Sequence, residues 1–181
     1  MKRRNTAYFL CIGLITLWSC GHTETTKTVA VSENRIVQQE DGQVSMKIEK
    51  AGLYCDQTNP SLNTADWNVV ISKPGRFGVW LSSATKDTSD LKYLNSVRIS
   101  LLDNRLEGKP ACDKIVHNPG DASFPFYRAD SYMGSVYVAE PGEYNVQVIS
   151  EKVSGNQAGT PTSHQKDDTQ LVSVMLTPLT R

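Results

Sequence analysis

From Val44 onward, apolar and polar residues alternate along short runs. Val44, Met46 and Ile48 alternate with Ser45, Lys47 and Glu49. Trp67, Val69 and Ile71 form the next run, followed by Phe77, Val79 and Leu81. Val97, Ile99 and Leu101 follow, then Val136 and Val138, then Tyr144, Val146 and Val148. Val172, Val174 and Leu176 form the last run, stopped by Pro178. A period of two puts one row of side chains in a dry interior and the other in water, the mark of antiparallel strands with one solvated face. No 3.6-residue period is sustained. At least seven such runs, separated by Lys73-Pro74-Gly75, Asp103-Asn104 and Glu140-Pro141-Gly142, predict an all-β fold. The expected architecture is an antiparallel two-sheet sandwich, jelly-roll-like, of about eight strands over residues 43–181.

The same parity assigns faces. Trp67 shares register with Val69 and Ile71 and is expected in the core. Trp80 is out of register with Phe77, Val79 and Leu81, so it is expected on the outer face. Pro74-Gly75-Arg76-Phe77-Gly78-Val79 and Pro141-Gly142-Glu143-Tyr144-Asn145-Val146 share one pattern and read as two turn-to-strand corners. In each, the glycine supplies a positive φ and the aromatic points inward.

The first twenty residues follow another logic. Lys2, Arg3 and Arg4 precede an apolar run from Ala7 to Trp18 that is shorter than the roughly 20 residues needed to span a bilayer. It fits the apolar core of a secretory signal. Leu17-Trp18-Ser19-Cys20 resembles the lipobox of bacterial lipoproteins, apart from the bulky Trp18. That resemblance implies removal of residues 1–19 and a diacylglyceryl thioether on Cys20, with further acylation giving a stable membrane anchor. Residues 20–42 then read as a polar tether. The expected location is outside the cytoplasm, on the outer membrane or cell surface.

Charge narrows the partners. The 181 residues carry 19 basic and 19 acidic groups; losing Lys2, Arg3 and Arg4 with the signal leaves three more acids than bases. That is no footprint for nucleic acid. With Cys11 in the signal and Cys20 lipidated, Cys55 and Cys112 remain. In an oxidising compartment they either pair, contributing up to about 4 kcal/mol in the chain-entropy model, or stay as two separate buried thiols.

Several segments together carry a second resemblance. These are Trp67-Asn68-Val69-Val70-Ile71, Pro74-Gly75-Arg76-Phe77-Gly78-Val79-Trp80-Leu81, Leu106-Glu107-Gly108-Lys109, Gly134-Ser135-Val136-Tyr137-Val138, the Pro141–Val148 corner and Leu171–Pro178. Their order is similar to galactose-binding-like β-sandwich modules of carbohydrate-binding families 6, 32 and 35, especially the non-catalytic domains appended to secreted bacterial fucosidases and sulfatases. The resemblance covers roughly residues 44–179 and implies a jelly-roll sandwich that binds oligosaccharide or polysaccharide. Modules of families 6 and 35 often hold a structural calcium. Glu49, Asp167 and Asp168 are the matching acidic types, with plain solvated strand-end acids as the alternative. No other cofactor is implied.

The candidate ligand residues follow from what a sugar needs: a flat apolar surface for its C–H face and a few fixed polar groups for its hydroxyls. The segment from His117 to Tyr132 reads as an aromatic loop with Phe124, Phe126, Tyr127, Arg128, Asp130 and Tyr132, either a binding loop or a small core of its own. Trp80 adds a platform, and Tyr54 and Asp56 flank Cys55 in another loop. Gly-x-Ser-x-Gly, His-Glu-x-x-His and phosphate-cradling glycine loops are absent from the sequence. The expected function is therefore a non-catalytic glycan-binding envelope lipoprotein, assisting partner glycoside hydrolases. Next in order comes a structural or assembly lipoprotein that binds proteins, and last a small glycan-active hydrolase.

Overall fold

The computed structural model describes residues 34–56, 58–117, 120, 122, 126–154 and 169–179. The signal, Cys11, Cys20, Phe124, Asp167 and Asp168 lie outside the described residues. Among the described residues, eleven strands pair into two sheets. They are β1 (Arg35–Val37), β2 (Val44–Lys47), β3 (Gly52–Tyr54), β4 (Thr64–Ile71), β5 (Gly75–Thr85), β6 (Val97–Leu101), β7 (Asn104–Gly108), β8 (Lys114–Val116), β9 (Tyr127–Val138), β10 (Gly142–Ile149) and β11 (Thr169–Pro178). Sheet A has the order β1-β4-β10-β6-β7, with β3 also paired to β4; sheet B has the order β2-β11-β5-β9-β8. The antiparallel sandwich expected from the alternation is present. Among the described residues, the one parallel pair joins β1 to β4.

The inward rows meet as predicted. Trp67, Val69, Ile71, Phe77, Val79, Leu81, Val146, Val148, Val174 and Leu176 are all buried. Trp67 also ties the sheets together: its indole N–H donates to the Lys47 carbonyl at the end of β2, 2.9 Å away. Tyr93 and Leu91, from the segment between β5 and β6, plug the loop-bearing end of the core, with the Tyr93 and Ser83 hydroxyls 2.8 Å apart. Burial pushes the Tyr93 phenol well above its ordinary value, against the Ser83 hydrogen bond, which acts to lower it. Gln38 closes the other end. Its amide donates to the Gly42 and Lys73 carbonyls and accepts from the Ser72 and Lys73 N–H groups.

Three details add to the sequence reading. Ile36 in β1, inside the stretch expected as tether, is buried against the core and pairs opposite Val69. Cys55 and Cys112 are separate free thiols, the first exposed and the second partly buried. They cannot bridge, since Cys55 follows β3 on the edge of sheet A that lies over β2, whereas Cys112 precedes β8 on the opposite edge. At the two Pro-Gly corners Phe77 is buried and Tyr144 packs against the core, yet Gly142 has no positive φ. The second corner is held by the Tyr144 hydroxyl, which donates to the Glu140 carbonyl at 2.6 Å.

Candidate functional site

The register of sheet B sets the outward side chains in transverse rows. One row runs Ser45, Met175, Trp80, Tyr132. The next runs Lys47, Ser173, Ser82, Asp130, Lys114, and a third runs Gln170, Ala84, Arg128, Val116. Small residues form the floor of this face: Ser82, Ala84 and Ser173 are buried although they point away from the core. Larger neighbours rise around them.

Trp80 and Tyr132 form the apolar part. Their ring centroids lie 5.1 Å apart with the planes tilted by 58°. Trp80 is half-buried and Tyr132 is 45% exposed. A bulge in β9 produces this approach, since Val79 pairs with Gly134 and Trp80 with Tyr132, leaving Met133 as the extra residue. Gly134 sits there at φ 132°, under the Leu106 side chain, where an added Cβ would come within 3.1 Å of a leucine methyl. The Tyr132 N–H donates to the Asp113 carboxylate at 2.7 Å, and the Asp113 N–H donates to the Asp130 carbonyl. Gly78 leaves room for the Tyr132 ring: a Cβ there would stand 3.3 Å from Tyr132 Cε2.

Asp130 is the polar centre. It is 3% exposed. Its Oδ1 accepts from the Ser82 hydroxyl at 2.8 Å and lies 3.1 Å from Arg128 Nε, while Arg128 Nη2 reaches Oδ2 at 3.4 Å. Nη2 thus hydrogen-bonds Oδ2 while Nε stands beside Oδ1 as an ion-pair contact, and together they hold the acid in one orientation. Nearby, burial raises the Cys112 thiol above its ordinary value, and the Asp113 and Asp130 carboxylates add to the shift.

The structure brings Trp80, Tyr132, Arg128 and Asp130 onto one face and separates the remaining candidates. Tyr127 to Tyr132 belong to β9 rather than to a loop. Tyr127 has the opposite parity and ends at the strand's rim, where His117 meets it edge-on at 5.9 Å. Phe126 packs under Lys86, whose Nζ is 5.0 Å above the ring. Tyr54 is exposed on the outer side of sheet A, at the far edge. Asp56 builds a turn, accepting from the Thr58 and Asn59 N–H groups. Glu49 pairs with Lys47 at 3.8 Å, and among the described residues no three His, Cys, Asp or Glu side chains converge as a metal site. Sequence reasoning missed Ser82 and Asp113. Ser82 was within reach, since it stands two residues from Trp80 and so shares its face.

No protein-family model matches the chain, and no curated protein matches it. Solved structures do. An α-L-fucosidase from Vibrio sp. strain EJY3 superposes with a TM-score of 0.62 and 21% identity, over 80% of this chain and 24% of that one. The Podospora anserina GH26-CBM35 β-(1,4)-mannanase gives 0.46 and 12%, over 78% and 28%. The Cry4Aa toxin from Bacillus thuringiensis gives 0.49 and 10%, over 82% and 25%. The chain thus spans about a quarter of each of these proteins, and what it shares with the α-L-fucosidase is the fold.

Proposed function

We propose that this chain is a non-catalytic glycan-binding protein of the bacterial envelope, exported by its first 19 residues and held to the membrane through lipid on Cys20. The observation that carries this reading is the pairing of an exposed aromatic surface, Trp80 with Tyr132, and a fixed polar group, Asp130 with Arg128 and Ser82, on one rigid sheet. A pyranose ring stacks on the first and directs hydroxyls to the second. Because the elements are strands rather than a mobile loop, little side-chain or loop ordering is lost on binding. Asp130, itself buried, holds the partly exposed Arg128 guanidinium in place as the polar group that faces the ligand. The domain from the Vibrio α-L-fucosidase shares the fold and comes from a protein whose name is that of a carbohydrate-active enzyme, which supports a glycan ligand. Envelope glycoside hydrolases are the matching partners.

A glycan array spanning plant, host and microbial oligosaccharides tests the reading. We expect binding to a restricted group of glycans, weakened about tenfold or more in Trp80→Ala and in Tyr132→Ala, since an aromatic contact contributes about 0.5–1.5 kcal/mol beyond its buried area. Silence across the array overturns the glycan reading in favour of a protein partner. Release of labelled sugar from bound polysaccharide overturns the non-catalytic part.

A further inference from the structure

A second polar surface lies on the opposite side of the sandwich. On the outer face of sheet A, Ser100, Leu102, Glu143, Asn145 and Gln147, with Tyr144 between them, line a shallow depression of about 400 Å³. That is the small end of the range for ligand sites, roughly 300–1000 Å³, and suits one or two sugar rings. Gln147 pairs opposite Ser100 across β10 and β6, so these side chains stand beside one another on the sheet.

Two features separate this depression from an ordinary solvated face. The first is uncommitted hydrogen-bonding capacity. The Asn145 amide N–H₂ makes only long contacts, 3.4 Å to the Trp67 carbonyl and 3.4 Å to Asn68 Oδ1. Glu143 is held only loosely by Arg35, 3.9 Å away, with both side chains half exposed. The second feature is Leu102. It adopts φ 54°, the left-handed conformation that a leucine takes only with strain, and its side chain is 51% exposed at the rim. Glycine or asparagine would fit this turn better, and no burial of the side chain offsets the strain. A strained backbone that holds an apolar side chain over a row of amides and a carboxylate matches a ligand with one C–H face and an edge of hydroxyls.

We infer that this depression is a second carbohydrate site that takes a single neutral pyranose ring. The C–H face lies on Leu102, and vicinal hydroxyls reach Glu143, Asn145 and Gln147. Asn145 offers both a donor and an acceptor, and the carboxylate accepts from two adjacent hydroxyls. With Trp80 on the far side of two packed sheets, no single ring reaches both sites. One chain would hold two glycan strands at once, gaining avidity on a polymer without any new contact.

The test is an NMR titration of ¹⁵N-labelled protein with four probes: the methyl glycosides of glucose, galactose, mannose and L-fucose. We expect saturable shifts of the Ser100–Leu102 and Glu143–Gln147 amides with at least one of them. Asn145→Ala should weaken that binding about tenfold, as the loss of one or two ligand hydrogen bonds does. Leu102→Asn should weaken it similarly while the melting temperature holds or rises, because the turn relaxes. Trp80→Ala should leave these shifts unchanged. Absence of saturable shifts at these amides with all four probes overturns the second site, as does undiminished binding in Leu102→Asn. The Trp80 fluorescence response is read in the same samples, so failure at one face is distinguished from failure at the other.

Discussion

Removing Asp130 exposes how the outer face of sheet B is held. In Asp130→Ala the Arg128 guanidinium loses the carboxylate that spans it, and the Ser82 hydroxyl loses its acceptor at 2.8 Å. Breaking a buried ion pair from one side costs about 3–5 kcal/mol. Arg128 keeps 21% of its side chain exposed, so part of its charge recovers hydration, and the lower end of that range applies. The lost Ser82 bond adds about 1 kcal/mol. We expect about 4 kcal/mol in total. Arg128→Ala should cost at least as much, because it strands a carboxylate side chain that is only 4% exposed. The double variant should cost less than the two singles added together, by about 1–3 kcal/mol, because nothing charged is then left behind. Urea unfolding followed by circular dichroism gives all four corners of the cycle. A constant m value confirms that only stability has changed. Additivity within about 0.5 kcal/mol would refute the coupling on which the polar half of the candidate site rests.

Gly78→Val should push the Tyr132 ring away from Trp80, since even a single Cβ stands 3.3 Å from both Tyr132 Cε2 and Thr177 Oγ1. The expected signature is a changed Trp80 fluorescence spectrum, lost glycan binding and about 1–3 kcal/mol of destabilisation. Tyr93 predicts an alkaline transition. Its folded-state value is raised above the ordinary phenol value of about 10, so folding favours the protonated form. That stabilisation is complete below about pH 10 and is lost as pH rises further, because the native state then binds more protons than the unfolded chain. Urea midpoints measured on either side of pH 10 should fall steeply for the native protein and less steeply for Tyr93→Phe; equal slopes would refute the assignment.

What the sequence revealed depended on how large its inward residues are. Trp67 and Trp80 were placed on opposite faces by parity alone, because Val69, Ile71, Phe77, Val79 and Leu81 make the period visible. The first half of β9 has the same geometry but hides it. Its inward residues there include Ala129 and Ser131, both buried and both too small or polar to register as apolar, so Tyr127 to Tyr132 read as loop. The edge strands β1, β3 and β8 are three residues long, too short for any period to show. The ion pair of Arg128 and Asp130 was within reach, being two residues apart on one strand. The β9 bulge and the Asp113 contact that support Tyr132 were not, because both arise from pairing between distant segments. The opposite-edge positions of Cys55 and Cys112 likewise emerge only from strand order.

The position of β11 governs when the protein can be made whole. Sheet B consists of β2 on one side and β5, β9 and β8 on the other, and only β11 joins them. During synthesis β2 therefore leaves the ribosome more than a hundred residues before its partner exists, and the slot between β2 and β5 stays open until Thr169–Pro178 arrives. A chain lacking that strand leaves the slot between β2 and β5 open, with apolar surface exposed to association.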